Sequence, residues 1–374
     1  MRKYFSVCLI LLVFLLSGCA EKSVNDISQL KKTGSMNLEY ATQFTVDYLE
    51  NDTALVSITD GQQYLIIPQN AEFPNVSDKN VTVIRKNPEN VYLSASSSMD
   101  FFSALNLLDF VEMTSTKAVD WSIPEIREMV ENDDIAYVGK YSAPDYEYLI
   151  TENCGISIQS TMIYHNPEVK EKLNALGIPV LIERSSYESH PLGRMEWIKL
   201  YGLLYGIEDE AEDFFNSKRS AVENLKASSS VKPTVAFFSI SSNGYATVRK
   251  PNDYISEMIR ISGGEYIFTA DDLNTDENAL STMNMQIETF YEKAKNADIL
   301  IYNSAIDGGV ESISQLVEKA DILSDFKAVK SGNVWCTEKN MFQKTTSVSE
   351  MILDMNEVIN GTQKNELSFL RRLE

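Results

Sequence analysis

The chain has 374 residues, of which 44% are hydrophobic, and its formal net charge at pH 7 is −21. This length suits two domains of ordinary size, and the apolar fraction is enough for each of them to bury a core. The strong negative charge disfavours binding to nucleic acid or to anionic lipid headgroups, since both repel an acidic surface.

The N-terminus has the pattern of a bacterial lipoprotein signal. Arg2 and Lys3 precede an apolar run over residues 5–16, which is in the range of a secretory signal and too short to span a bilayer comfortably. The following Leu-Ser-Gly-Cys matches the lipobox, in which the thiol of Cys19 receives the lipid. We therefore expect residues 1–18 to be a signal peptide, and the mature chain to be lipid-anchored on the extracytoplasmic face of the cell membrane. The alternative is an uncleaved anchor in which Cys19 has no special role.

No motif of an enzyme active site is present in the sequence. HExxH, CxxC, GxSxG, GxGxxG and the Walker A pattern are all missing, and the histidines are His165 and His190. We expect His165 to be structural, because Asn166-Pro167 after it predicts the start of a helix. Cys154 and Cys336 lie in strand-like runs and are expected to be buried free thiols, although a single bridge between them is possible.

The first half of the mature chain changes in character along its length. Residues 19–37 are polar and predict a short tether. Residues 38–92 look rich in β-strands, with Asp60-Gly61 as a hairpin turn signal. From residue 91 strands and helices alternate, which implies crossover connections and a parallel sheet. We assign residues 38–188 to an N-terminal α/β lobe that opens with this β-rich region.

Two consecutive helices then interrupt the alternation and occupy residues 189–228. The first is predicted over Pro191–Tyr205, with Gly206 as its cap, and the second from about Asp209 to Lys226. The second helix has a length of about 27 Å at ~1.5 Å per residue, which is enough to cross between two domains. The alternation resumes over residues 229–374, which we assign to a C-terminal α/β lobe.

These elements predict an α/β fold of two Rossmann-like lobes, joined by a long backbone helix, with a ligand cleft between the lobes. A helical connection predicts limited hinge motion, because a helix has no soft loop dihedrals to change.

Four stretches have the residue pattern of a known family: residues 138–148 (VGKYSAPDYEY), 189–199 (SHPLGRMEWIK), 263–268 (GGEYIF) and 297–302 (ADILIY). They resemble the substrate-binding proteins of ABC importers for ferric siderophores, haem and vitamin B12. The resemblance covers roughly residues 90–360, and the segment 38–92 exceeds the family's usual opening. It implies a non-enzymatic protein without a cofactor, which captures an iron chelate of the ferric siderophore type and delivers it to an ABC permease dimer with its ATPase.

The resemblance also implies that one acidic residue at the tip of each lobe docks on the permease. The matching residues are Glu147 and Glu288, which take equivalent places in a two-fold repeat of helix and strand. Exposed carboxylates suit permease arginines, which can bind them through two hydrogen bonds. The alternative is that both are ordinary acids at helix starts, where the helix dipole favours them.

Ligands of two-lobed α/β proteins bind in the cleft, near the carboxyl ends of the strands. The segments that follow the predicted strands supply the ligand-binding candidates Arg194, Tyr141, Tyr245, Arg249, Met99, His190 and Tyr187. Arg194 is the first choice, because a guanidinium group binds carboxylate or catecholate oxygens well; a pairing with a neighbouring Glu is the alternative. Tyr141 and Tyr245 could stack on a large chelate or could pack in the core or rim. We expect no direct metal ligand unless the ligand is haem, whose iron His190, Tyr187 or Tyr245 would then bind.

Three alternatives for the function remain open at this point. The ligand could be haem or a cobamide, the protein could be a secreted or surface-attached α/β enzyme, or it could be a structural lipoprotein or adhesin. The absence of a nucleophile paired with a base argues against the enzyme, and the absence of repeats argues against the structural protein. We expect a monomer that contacts the membrane only through its lipid and binds no nucleic acid.

Overall fold

The computed structural model describes residues 30–74, 76, 78, 80–225, 232–272, 281–305, 309–363 and 366–374. The predicted signal peptide, the lipidation site Cys19 and the first part of the predicted tether lie outside the described residues. Within the described ranges, no helix is long and apolar enough to cross a membrane.

Residues 32–85 form a separate sheet, which we call the N-terminal sheet. Its strands, in the order in which they pair, are β1 (Lys32–Ser35), β2 (Phe44–Leu49), β3 (Thr53–Ile58), β4 (Gln63–Ile67) and β5 (Val81–Arg85). Neighbouring strands are antiparallel except β4 and β5, which are parallel. The predicted hairpin turn joins β3 to β4, and Gly61 has a φ of +92° there, which glycine adopts at little cost.

The β-rich character predicted for residues 38–92 is confirmed, but most of this region builds the N-terminal sheet rather than the sheet of the N-terminal lobe. The strand β1 lies within residues assigned to the tether. Its sequence, KTGS, carries no apolar alternation, because it is held by backbone pairing with β2 rather than by burial of its side chains.

The N-terminal lobe has a parallel five-stranded sheet in the order β12-β11-β6-β7-β8. The strands are β6 (Val91–Leu93), β7 (Val111–Thr114), β8 (Ala136–Tyr137), β11 (Ile156–Ser160) and β12 (Val180–Glu183), and the helices are α1 (Met99–Ala104), α2 (Pro124–Glu131), α3 (Tyr146–Thr151) and α4 (Pro167–Ala175). A small hairpin of β9 (Gly139–Lys140) and β10 (Ala143–Pro144) follows β8.

Three helices connect the lobes: α5 (Pro191–Glu196), α6 (Ile198–Tyr205) and α7 (Glu208–Glu223). The prediction of one helix over Pro191–Tyr205 is wrong, because a turn at Trp197 divides it. Gly206 caps α6 in the left-handed conformation, as predicted. The long helix α7 packs on α6 and on the last helix of the C-terminal lobe.

The C-terminal lobe is built on a mixed sheet in the order β16-β14-β13-β17-β18-β19, with β15 also paired to β13. Its strands are β13 (Thr234–Ile240), β14 (Ala246–Arg249), β15 (Glu265–Tyr266), β16 (Thr282–Met285), β17 (Ile299–Tyr302), β18 (Val334–Thr337) and β19 (Leu370–Arg372). Its helices are α8 (Tyr254–Ile261), α9 (Ile287–Ala294), α10 (Ile313–Lys319), α11 (Lys327–Ser331) and α12 (Val348–Asn360). The strands β13, β17 and β18 are parallel.

The predicted two-lobed α/β fold is confirmed, and one apolar core runs through the whole molecule. This core includes Phe44 of the N-terminal sheet, Trp197 between the connecting helices and Phe237 of β13. A second buried cluster lies in each lobe, as expected of parallel sheets that are covered on both faces. Cys154 and Cys336 are buried and free, which confirms the prediction.

Candidate functional site

The two lobes touch each other at the edges where their parallel strands end. Thr345, which follows β18, donates its hydroxyl to the carbonyl of Ser97, which follows β6, at 3.0 Å. The amide of Gln343 donates to the carbonyl of Asp120 at 2.8 Å and accepts from the backbone N–H of Ser122 at 2.6 Å. Both contacts bring together segments that follow strand ends, so the carboxyl edges of the two sheets border a common cleft.

Below this cleft lies a group of buried charges at the lobe junction. The backbone N–H and the hydroxyl of Thr346 donate to the carboxylate of Asp100, at 2.6 and 2.5 Å. The carboxylate of Glu183, at the end of β12, accepts from the N–H of Ser185 at 2.6 Å and from the hydroxyl of Ser97 at 3.1 Å. Burial raises the pKa of both carboxyl groups, and their hydrogen bonds and the charge of Arg194 oppose that rise.

Arg194, the first-choice ligand residue, belongs to this buried group. Its side chain lies in α5, is only 4% exposed, and packs with its guanidinium 4.7 Å from the ring centre of Tyr254. One terminal nitrogen donates to the carbonyl of Phe342 at 3.2 Å, and the buried Nε atom has no partner in the described structure. Among the described residues no carboxylate lies within 4.0 Å of the guanidinium of Arg194, so the alternative of a pair with a neighbouring Glu is not found.

Several cations at the strand ends have no carboxylate within 4.0 Å among the described residues. They are Lys117 and Arg127 after β7, Lys140 in the hairpin after β8, and Lys339 and Lys344 after β18. Elsewhere many cations are paired, as in Lys32–Asp47, Lys86–Asp52 and Lys327–Asp298. The strand ends therefore carry cations without a carboxylate partner in a chain that is acidic as a whole, beside carboxylates such as Glu338, which is paired with Arg371.

Large exposed apolar side chains are also concentrated at the strand ends. Val119 follows β7, Tyr137 ends β8, Met162 and Tyr164 follow β11, and Tyr245 follows β13; all are exposed. Exposed aromatic rings at the mouth of a cleft suit a ligand with a flat apolar surface.

A cavity of about 530 Å³ opens on this side of the molecule, between the two lobes. Ser122 and Arg127 line it from the N-terminal lobe, and Ser304, Thr337 and Asn340 from the C-terminal lobe. Its volume is on the scale of small-molecule sites, which span about 300–1,000 Å³. The buried side-chain oxygen of Asn340 has no partner in the described structure and is available to a donor. No group of three or more His, Cys, Asp or Glu in the described part of the chain is arranged to hold a metal ion.

The structure places two predicted ligand residues at the rim and two in the interior. Tyr141 is half-buried at the tip of the β9–β10 hairpin, and Tyr245 is exposed, with its hydroxyl accepting from Gln286 at 3.3 Å. Met99 is fully buried in the core at the start of α1. Arg249 is buried and makes two hydrogen bonds of 2.7 Å to Asp253, so its charge is already compensated.

His190 and Tyr187, both considered for a haem, lie beside the connecting helices. The Nδ1 atom of His190 accepts from the N–H of Leu192 at 3.1 Å, its ring packs 4.6 Å from that of Tyr40, and Nε2 lies 3.9 Å from Glu257. Burial lowers the pKa of His190. In this arrangement Nδ1 is occupied by the N–H of Leu192 and Nε2 faces Glu257, so a role of His190 as a haem ligand stays a prediction.

Glu147 and Glu288 occupy equivalent places in the two lobes. Each is the second residue of its helix, α3 and α9, and each is exposed. The side chain of Asp145 caps α3 by accepting from the N–H groups of residues 147 and 148, both at 3.1 Å. Ile150, one turn after Glu147, is exposed as well, so the tip of the N-terminal lobe offers a carboxylate next to an apolar side chain.

The sequence predictions missed most of the rim. Lys117, Lys339, Met162 and Tyr164 each follow a strand by a few residues, and that position was the available signal. A position after a strand predicts the edge of the sheet at which a residue lies but not the direction of its side chain, so it does not separate Lys117 and Tyr164 at the rim from the buried Met99 and Arg249.

Comparison with known proteins places this geometry in a family. The model of the periplasmic binding protein family matches residues 91–340, which is more than half of the chain. An uncharacterised lipoprotein of Methanocaldococcus jannaschii is 25% identical over 386 positions, covering 94% of this chain and 90% of the relative. A second one from the same organism is 26% identical over 367 positions and covers 91% of each chain.

Solved structures share the fold at low identity. A petrobactin-binding protein of Bacillus subtilis aligns with a TM-score of 0.59 at 19% identity and covers 77% of this chain and 96% of its own. A periplasmic haem-binding protein of Pseudomonas aeruginosa aligns with a TM-score of 0.61 at 13% identity, over 77% of this chain and 98% of its own. A catecholate-siderophore binding protein of Vibrio cholerae aligns with a TM-score of 0.57 at 14% identity, over 73% and 94%. The N-terminal sheet precedes the residues that the family model matches.

Proposed function

The chain belongs to the periplasmic binding protein family, and from that premise we propose that it captures an anionic metal chelate of the ferric siderophore type between its lobes and delivers it to an ABC permease. Members of this family bind substrates for transport and are not enzymes. The lipobox at Cys19, together with the lipoprotein relatives, supports a lipid-anchored monomer at the extracytoplasmic face of the membrane.

The observation that carries the proposal is the set of cations at the cleft rim that lack carboxylate partners. The chain as a whole has a formal charge of −21, so an anion approaches it only where the local field is positive. Lys117 and Lys140 on one lobe and Lys339 on the other supply such a field. Ferric chelates that carry carboxylate or catecholate groups are anions of suitable size, and the exposed rings of Tyr137 and Tyr245 suit their flat surfaces.

Haem is the second candidate, favoured by the exposed phenol of Tyr245 at the cleft and by the half-buried Tyr141. A tyrosine oxygen can serve as an axial ligand to haem iron. The propionates of haem would then pair with the same rim lysines. A spectral shift of added haem that is lost in Tyr245→Phe or Tyr141→Phe would decide for haem over a siderophore.

The ligand is tested with residues 20–374 expressed without the signal, titrated with ferric siderophores, haem and cobalamin while tryptophan fluorescence is followed. Trp121 reports on the site, because its indole N–H donates to the carbonyl of Thr116 at 3.2 Å beside the rim. We expect at least one iron chelate to bind more tightly than about 10 µM, which corresponds to about 7 kcal/mol. No binding of any of these ligands at that concentration would overturn the proposal.

The rim cations are tested by a triple variant in which Lys117, Lys140 and Lys339 become Gln. Charge-assisted contacts contribute enough that the variant should bind an anionic chelate about tenfold or more weakly. The control replaces the exposed Lys31 and Lys232, which precede β1 and β13 and so lie away from the carboxyl ends of the strands. Equal affinity of the triple variant and the control would show that the rim cations do not contact the ligand.

Docking on the permease is tested with Glu147→Ala and Glu288→Ala, singly and together. Each removes an exposed carboxylate at a lobe tip, so ligand affinity should stay unchanged while chelate uptake through the permease falls. The controls Glu128→Ala and Glu292→Ala remove exposed carboxylates of α2 and α9 at neighbouring positions. Loss of ligand affinity with uptake otherwise intact would move both residues from docking to ligand binding.

A further inference from the structure

The N-terminal sheet, which precedes the part of the chain matched by the family model, covers an open edge of the N-terminal lobe. The strand β12 ends the sheet of that lobe, and its outer edge has backbone groups to satisfy. The buried hydroxyl of Tyr64 in β4 accepts from the N–H of Ile182 in β12 at 2.9 Å. The ring of Phe44 in β2 packs 4.7 Å from that of Trp197. The added sheet is thus continuous with the lobe.

The segment that enters the N-terminal sheet is fixed on the connecting helices by two buried carboxylates. Glu196 accepts from the backbone N–H groups of residues 39, 40 and 41 at 2.8–2.9 Å. Glu188 accepts from the N–H groups of Thr42 at 2.7 Å and Gln43 at 3.0 Å. Gly193 allows this close approach, because a Cβ there would lie 2.6 Å from the carbonyl oxygen of Tyr40. These contacts hold the sheet in one position relative to the cleft.

From that position the β3–β4 hairpin reaches the carboxyl edge of the lobe. Tyr164, after β11, donates its hydroxyl to the carboxylate of Asp60 at the hairpin tip and accepts from the amide of Gln62 at 2.9 Å. Arg184, after β12, lies 3.3 Å from the same carboxylate. Lys170 of α4 donates to Gln62 at 2.6 Å. The hairpin therefore holds the side chains that follow two neighbouring strand ends.

The contacts of the hairpin determine which groups of Tyr164 and Arg184 remain available to a ligand. The oxygen of Tyr164 is occupied by hairpin partners, so its exposed ring is what remains for a ligand. The guanidinium of Arg184 lies 4.5 Å from the ring centre of Tyr187, and Asp60 balances its charge. The exposed ring of Tyr164 therefore lies beside a paired Arg184 and Asp60, with Lys170 bound to the neutral amide of Gln62. Lys117, Lys140 and Lys339 lie at other parts of the rim.

We infer that the β3–β4 hairpin shapes an aromatic subsite at the cleft, in which Asp60 is a positioning residue and Tyr164 stacks on a planar aromatic group of the ligand. The inference deepens the proposed function and rests on it. It names the ligand as an anionic ferric chelate that carries aromatic rings, in preference to one that binds iron through aliphatic carboxylates.

The test compares two ferric complexes, one with 2,3-dihydroxybenzoate and one with citrate, by fluorescence titration of residues 20–374. Tyr164→Ala removes the ring and should weaken the aromatic complex about three- to tenfold, as expected for one lost aromatic pair, with the citrate complex within about twofold of wild type. Asp60→Asn keeps the turn acceptor for the N–H of Gln62 at 3.1 Å but loses the charge that holds Tyr164 and Arg184. Asp60→Asn should therefore also weaken binding of the 2,3-dihydroxybenzoate complex relative to the citrate complex.

The matched control is Asp78→Asn, since Asp78 accepts from the N–H of Asn80 at 2.9 Å just before β5 and has no hydrogen bond to the N-terminal lobe among the described residues. Thermal melts of all variants check that the fold is retained. An unchanged affinity ratio in Tyr164→Ala and Asp60→Asn, or an equal loss for both complexes, overturns the inference while wild-type binding still supports the proposed function. If wild type binds neither complex nor any other iron chelate, the proposed function itself fails.

Discussion

The two junctions of this molecule satisfy their buried carboxylates in different ways. Where the N-terminal sheet meets the connecting helices, Glu188 and Glu196 accept from consecutive backbone N–H groups. Where the two lobes meet, Asp100 and Glu183 each accept from one hydroxyl and one backbone N–H, and burial raises their pKa values. The two carboxylates of the first junction are saturated with hydrogen bonds, whereas the Nε atom of Arg194 at the second junction has no partner in the described structure.

The two junctions also differ in the parts of the molecule that they join. The N-terminal sheet, the N-terminal lobe and the connecting helices form one unit that carries one wall of the cleft. The C-terminal lobe joins that unit through a shared apolar core and few polar bonds, including Thr346 to Asp100 and Gln343 to Ser122. Any motion that closes the cleft on a ligand must change the second junction, and the continuous core keeps that motion small.

The largest expected effect comes from removing a carboxylate of the saturated junction. Glu196→Ala leaves three backbone N–H groups without their buried acceptor. It also removes one of the partners of the buried Lys199, which keeps Glu212 and the carbonyl of Asn37. The free energy of unfolding should fall by about 3–5 kcal/mol, as measured by urea denaturation. Glu196→Gln, which keeps one acceptor oxygen, should lose less and covers the case in which the alanine variant does not fold. If both variants lose less than about 1 kcal/mol, the hydrogen bonds of Glu196 do not fix the N-terminal sheet on the connecting helices.

A smaller effect is expected from crowding the same junction. In Gly193→Ala the new Cβ would lie 2.6 Å from the carbonyl oxygen of Tyr40, so the segment 39–43 must move away. We expect the free energy of unfolding to fall by about 1–3 kcal/mol, the usual cost of overpacking. Gly206→Ala is the control, since it has open space around the Cβ and a φ of +66°, and should cost only about 1 kcal/mol. If both variants lose the same free energy of unfolding, the segment 39–43 moves away from the new Cβ without a measurable cost.

The contrast between the junctions explains what could be predicted from the sequence. The alternation of strands and helices predicted both lobes, and the Asp60-Gly61 signal predicted the hairpin, because these patterns depend on neighbouring residues. The position of the hairpin against Tyr164 depends on contacts more than 100 residues apart in the chain, which no local pattern contains. Arg249 failed as a rim residue for a related reason: its partner Asp253 is only four residues away, but burial of the pair depends on the whole lobe.

A still smaller effect should follow at the lobe junction. Thr346→Val removes the hydroxyl that donates to Asp100 at 2.5 Å but keeps the backbone N–H bond. The free energy of unfolding should fall by about 1–2 kcal/mol, the lower part of the range for a hydrogen bond to a charged group, because the backbone N–H bond to Asp100 remains. Thr45→Val, at an exposed position of β2, serves as the control and should stay within about 0.5 kcal/mol of wild type. If Thr346→Val is also neutral, the lobes are held by the apolar core alone.

The smallest expected effect is a change in the free energy of unfolding with pH. It directly compares how well the buried carboxylates of the two junctions are compensated. Burial raises the pKa of Glu183 above the value of about 4.3 that a glutamate has in an unfolded chain. The folded state therefore binds this proton more tightly, so the contribution of Glu183 to stability is complete below about pH 4.3 and is lost as the pH rises through the folded pKa. Gln cannot ionise, and it keeps an acceptor for the N–H of Ser185. The free energy of unfolding of Glu183→Gln should therefore equal that of wild type near pH 4 and exceed it toward pH 7. Urea unfolding of both proteins at several pH values measures this difference, in which the other titrating groups cancel. A difference that does not change with pH would mean that the Glu183 carboxylate is as well compensated as the saturated carboxylates of the first junction.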